Sequence, residues 1–172
     1  KLKIDFSQKQ LPKFPHIGGF HDAPVIFFEE PPEVKPPRGL YVVGLDDYKQ
    51  EQSDTDSLGC FVVYKRQSGG DEWGDRIVAI YTSRPDPHSK FHKIGFLLAE
   101  AYNADVLMEN EDMDFKLYLD GIRKTEEYLV PSFNLSGDLT INSNSKRAYG
   151  ISPKGNKSAI LIALNSSNRF NF

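Results

Sequence analysis

Two apolar runs in this chain end in acid. Leu40-Tyr41-Val42-Val43-Gly44-Leu45 leads straight into Asp46-Asp47, and Val106-Leu107-Met108 leads into Glu109. Continuous apolar strands flanked by helices read as the buried centre of an α/β sheet, and such sheets place ligands beyond the carboxyl ends of their strands. Carboxylates on two strand ends would make a hard-cation site, since magnesium and manganese take oxygen ligands. Two such ions about 3.5 to 4 Å apart can activate a water and stabilise the departing oxygen of a phosphodiester. A rigid strand end suits the task, because it holds acids against mutual repulsion until the metal arrives.

Each candidate has an ordinary competitor. Aspartates after a strand are common turn residues that hydrogen-bond their own backbone; the second acid-ended strand is what favours a site. Of the twin acids, Asp46 follows the strand directly, whereas Asp47 falls on the opposite side of the pleat and ranks below it as a ligand. Within Glu109-Asn110-Glu111-Asp112, the later acids suit a solvated loop and helix cap, while Glu109 is attached to the strand. His88 and His92 stand four apart on a helix, as paired metal ligands can, but Ser89-Lys90-Phe91 between them lacks the glutamate of a zinc-protease helix, so they read as a solvated face. Gly150-Ile151-Ser152-Pro153-Lys154-Gly155 fails as a phosphate loop: the lysine is misplaced and Pro153 stiffens it.

The elements that must position these residues follow from periodicity. Residues 1–38 are rich in proline and aromatics and form a stiff arm or linker, with Pro24-Val25-Ile26-Phe27-Phe28 as its one candidate edge strand. Residues 39–172 form the domain. After the strand ending at Asp46, the runs 59–65 and 76–82 make an antiparallel hairpin. From Pro87 to Tyr102 the period changes, with Phe91, Ile94, Leu98 and Ala101 at helical steps. A strand from Asp105 to Glu109 comes next, then a short helix from about Asp112 with Phe115, Leu119 and Ile122 inward, and a brief strand 127–130. A loop over 132–145 and a last helix over 156–165 complete the chain. Three strands in a meander, then helix, strand, helix, strand and helix, is the ribonuclease H-like arrangement: a mixed sheet of about five strands with helices on both faces. In it the first and fourth strands are neighbours, so Asp46 and Glu109 would converge.

Composition bounds the rest. The 172 residues, 39% of them hydrophobic, suffice for one core with a modest appendage. A formal net charge of -3 with interspersed signs argues against a strongly cationic nucleic-acid binder. The single cysteine, Cys60, excludes an internal disulfide and reads as a small buried hydrophobe. No run reaches membrane-spanning length and the amino terminus lacks a secretory segment, so an intracellular, soluble protein without a membrane partner is expected. Lys1 suggests a piece of something longer.

A specific resemblance rests on Gly44-Leu45-Asp46 with its polar Ser/Asp sequel, on Leu107-Met108-Glu109-Asn110, and on Tyr149-Gly150-Ile151 with Lys157 before an apolar helix. In order and spacing these resemble the nuclease domain of tailed-phage large terminases, over about residues 24–165, and the proline-rich arm is similar to the segment that follows the ATPase domain there. The resemblance implies an endonuclease that cuts concatemeric double-stranded DNA during genome packaging in the cytoplasm of an infected host. Asp46 and Glu109 would be ligands to Mg2+ or Mn2+, and the ATPase domain, portal and small terminase subunit would be partners. The family supplies a third acid near its carboxyl terminus, whereas this chain has none after Asp138. Either that ligand lies beyond Phe172, or Asp47, Glu51, Asp54 or Asp56 replaces it. Lys157, Arg147 and Lys65 are the foremost DNA-contact candidates, with Trp73 a stacking candidate beside Lys65 and Arg66. Two alternatives stand: a junction resolvase or transposase of the same fold, and a catalytically silent docking or DNA-positioning module.

Overall fold

The computed structural model describes residues 21–48, 57–67, 74–109, 113–131 and 149–151. Its elements are β1 (Ile26–Phe27), β2 (Tyr41–Asp46), β3 (Gly59–Lys65), β4 (Arg76–Ser83), α1 (His88–Ala101), β5 (Asp105–Met108), α2 (Asp114–Gly121) and α3 (Thr125–Tyr128). β2, β3 and β4 form an antiparallel meander, and β5 returns to lie parallel to β2, giving one sheet in the order β1-β4-β3-β2-β5. This is an α/β protein with a five-stranded mixed sheet and the ribonuclease H-like strand order expected from the sequence. The parallel neighbour is possible because α1 supplies the crossover that a parallel pair requires.

Alternation decides which face is covered. Tyr41, Val43, Leu45, Phe61, Val63, Tyr81, Val106 and Met108 are buried on one face, while Val42, Gly44, Asp46, Cys60, Val62, Leu107 and Glu109 fall on the other and are half-buried or exposed. The covered face receives α1 and α2 through a cluster of rings: Phe91 lies with its centroid 4.7 Å from Phe61, and Phe115 lies 5.4 Å from Phe61. Burying one such ring contributes about 1.5 to 3 kcal/mol. Contact is close enough that Gly95 has no room for a side chain, since an added Cβ would sit 2.0 Å from Phe61 Cζ. α3 closes the β5 side, where Tyr128 packs edge-on against Phe96 at 5.3 Å.

Several expectations shift in detail. Residues 125–128 are a helical turn rather than a strand, and among the described residues the extended contact survives only as single bridges from Leu129 to Val106 and from Pro131 to Tyr149. Pro131 limits pairing there because it has no N–H to give. In α1 the inward stripe is His88, Phe91, His92, Gly95, Leu98 and Ala99, so Ala101 is exposed. Ile122 lies just past the end of α2 and is also exposed. All three described helices pack on the covered face; the loop 132–145 and the helix expected over 156–165 lie outside the described residues.

The amino-terminal segment docks on the sheet. β1 pairs antiparallel with β4 as the expected edge strand. Beyond it, the Glu29 carboxylate accepts a hydrogen bond from Lys65 at 2.8 Å and is paired with Arg76. Arg38 donates to Asp105 at 2.7 Å and to the Glu127 carbonyl, with its guanidinium 4.8 Å from the Tyr128 ring centroid. Prolines 31, 32, 36 and 37 keep this strap extended between its two anchors.

Candidate functional site

β2 and β5 run in parallel with Leu45 opposite Met108, so Asp46 and Glu109 both occupy the next position at the same end of the sheet. The alternation that sends Leu45 and Met108 into the core sends both acids to the open face. They line one cleft of about 510 Å³ with Gly44, Leu45, Cys60, Val62, Leu107, Met108 and Ile151. Gly44 is the floor, where an added Cβ would meet nothing within 4 Å among the described residues. A glycine in mid-strand weakens the strand and commonly marks close approach by another group.

The Tyr149-Gly150-Ile151 segment buttresses this end. The Ile151 amide donates to the Met108 carbonyl at 2.8 Å, and Ile151 bridges Glu109 in parallel register. Gly150 can take its place because its φ of +78° suits glycine and because an added Cβ would lie 2.5 Å from the Met108 carbonyl oxygen.

Among the described residues, neither the Asp46 nor the Glu109 carboxylate has a hydrogen-bonding or ion-pairing partner. Burial pushes the Asp46 carboxyl above its ordinary value, and the adjacent negative charge of Asp47 adds to the shift. A bound cation would relieve both effects. Two uncompensated oxygen donors on neighbouring rigid strands fit Mg2+ or Mn2+. Cys60, expected in the core, instead half-lines the cleft with its sulfur 3.3 Å from Thr82 Oγ1.

Asp47 does not join this pair. Its backbone is accessible but its side chain is only 5% exposed and turns to the covered face, where Oδ1 lies 2.8 Å from His88 Nε2 and Oδ2 lies 2.6 Å from His92 Nε2. Burial raises the Asp47 carboxyl, but the hydrogen bonds and charges of the two histidines outweigh it and hold the group below the usual aspartate value. The histidines are therefore not a solvated helix face; they are 6% and 4% exposed. The missed signal was the helical stripe itself, since positions 88, 92, 95 and 99 share a face with Phe91 and Leu98.

Lys65 sits at the far end of β3, opposite Tyr41, and is engaged with Glu29, so it is remote from the acids. Lys157, Arg147, Trp73, Glu51, Asp54 and Asp56 lie outside the described residues. No described helix is long and apolar enough to cross a membrane. Comparison with family models, with curated proteins and with solved structures finds no match.

Proposed function

We propose that this chain is a divalent-metal-dependent endodeoxyribonuclease domain of the large-terminase type, hydrolysing phosphodiesters of concatemeric double-stranded DNA during phage genome packaging in the host cytoplasm. One observation carries the reading: two carboxylates from sequence-distant strands share one face, one sheet end and one cleft, with no cation among the described residues to neutralise them. In that role Asp46 and Glu109 hold Mg2+ or Mn2+ as oxygen ligands. When bound, the ions supply a water of lowered pKa and offset charge developing on the phosphate. The chain itself orients the acids on hydrogen-bonded strand ends, and Gly44 leaves room for the sugar-phosphate strand above the sheet. The ATPase domain, portal and small terminase subunit are the partners this reading implies.

A supercoiled-plasmid nicking assay in Mn2+ tests it. Asp46→Asn and Glu109→Gln are each expected to lower the rate at least about 100-fold, since a metal contributes several kcal/mol and each 1.36 kcal/mol is tenfold. Undiminished nicking by either variant overturns the assignment. Failure of the wild type to nick favours instead a silent docking module, a reading that the turning-away of Asp47 from the cleft supports.

A further inference from the structure

On the face of the sheet opposite the cleft, we propose a second metal site, of zinc type, formed by Asp47, His88 and His92. Donor atoms from these three side chains lie within 4.8 Å of one another. All three are nearly sealed from solvent, with side chains 5%, 7% and 5% exposed. The two imidazoles come from successive turns of α1 with ring centroids 4.2 Å apart, and both aim Nε2 at the same carboxylate.

The donor set and its burial are what favour an ion here. His88 presents Nε2 to Asp47 at 2.8 Å and Nδ1 towards Asp114 at 3.8 Å, so both ring nitrogens face acceptors. With a cation between Nε2 and Asp47, the single proton stays on Nδ1 facing Asp114, the carboxylate–histidine–metal arrangement that fixes the tautomer of ligating histidines. Two nitrogens and one oxygen suit Zn2+ rather than Mg2+. Zinc bonds of about 2.0 to 2.1 Å at tetrahedral angles set donor spacings near 3.3 Å, so the contacts of 2.8 and 2.6 Å need open by roughly 0.5 to 0.7 Å.

The site would clamp the residue after Asp46 to α1. Tyr48 continues the clamp: its ring lies tilted against His88 with centroids 4.4 Å apart, and its hydroxyl donates to the Pro85 carbonyl at 2.7 Å. A structural ion here fixes the end of β2 from behind and leaves the cleft in front open. It is separate from the Asp46–Glu109 pair in ligands, face and metal class.

Untagged full-length chain, stripped with a chelator and dialysed, is titrated with Zn2+ alone and separately with Co2+. One zinc per chain is expected, with a Co2+ visible spectrum of tetrahedral intensity and a rise in melting temperature on Zn2+ addition. The Asp46→Asn/Glu109→Gln double variant should keep all three signals, which separates this site from the cleft. His92→Gln should lose them, and Asp114→Asn should weaken zinc by about 10- to 100-fold, the usual loss when an outer carboxylate is removed. Wild-type chain that shows no tetrahedral Co2+ spectrum overturns the proposal whether or not the variants fold. So does zinc binding of undiminished affinity in folded His92→Gln.

Discussion

Replacing Gly44 separates the cleft's chemical role from its role in the fold. The residue lies in the middle of β2 on the open face, with Val62 and Leu107 as its register partners. Its φ is not in the left-handed region, unlike those of Gly39 and Gly150, so a larger residue meets no backbone strain. Its Cβ position is empty to 4 Å among the described residues. Glycine in a strand interior costs about 0.5 to 1 kcal/mol relative to alanine, and valine is the better strand former. Gly44→Val is therefore expected to stabilise by about 1 kcal/mol, raising Tm by about 2 to 4 °C for a chain of this size. The same methyl groups stand two residues, or about 7 Å, before Asp46 on the same face, where a sugar-phosphate strand must lie to reach both acids. Displacing a reacting group by about 1 Å can cost about 100-fold, so nicking should fall by that order, with Gly44→Ala between. Thermal melts and Mn2+-dependent plasmid nicking on one preparation measure both. A stabler variant that nicks at the wild-type rate would show that substrate does not cross the cleft floor; a lower Tm would show that the floor is not open.

Two further outcomes follow from the packing. Gly95→Ala forces the Phe61 ring to move from a contact of 2.0 Å; overpacking of about 1 to 3 kcal/mol exceeds the gain of about 1 kcal/mol in helix propensity. Urea unfolding should show a net loss of up to about 2 kcal/mol, and a raised midpoint would contradict the close α1–sheet contact. Burial raises the Glu29 carboxyl, yet the hydrogen bonds and charges of Lys65 and Arg76 leave it below the ordinary glutamate value. The strap's contribution is then present above that value and lost as pH falls through the lowered folded one. Glu29→Gln should cost about 1 kcal/mol at neutral pH, discounted for partial exposure, and progressively less in acid; a pH-independent difference in urea midpoints would refute the ion-pair account.

What could be read from the sequence was whatever depends on local period. Alternation and apolar runs located the meander and β5, three- and four-residue spacing located α1, and the pleat alone placed Asp46 and Asp47 on opposite sides of the sheet. The same reasoning misjudged α1's inward stripe. Phe91 and Leu98 fit a face through Ile94 and Ala101 nearly as well as one through His88, His92 and Gly95, and helical spacing cannot choose between two faces that share members. The choice fell to the sheet: Phe61 required a glycine opposite it, which turned Gly95 inward and carried both histidines onto Asp47. Tertiary structure likewise decided that Glu109 stands beside Asp46, because only pairing of β5 with β2 brings residues 63 positions apart to one strand end.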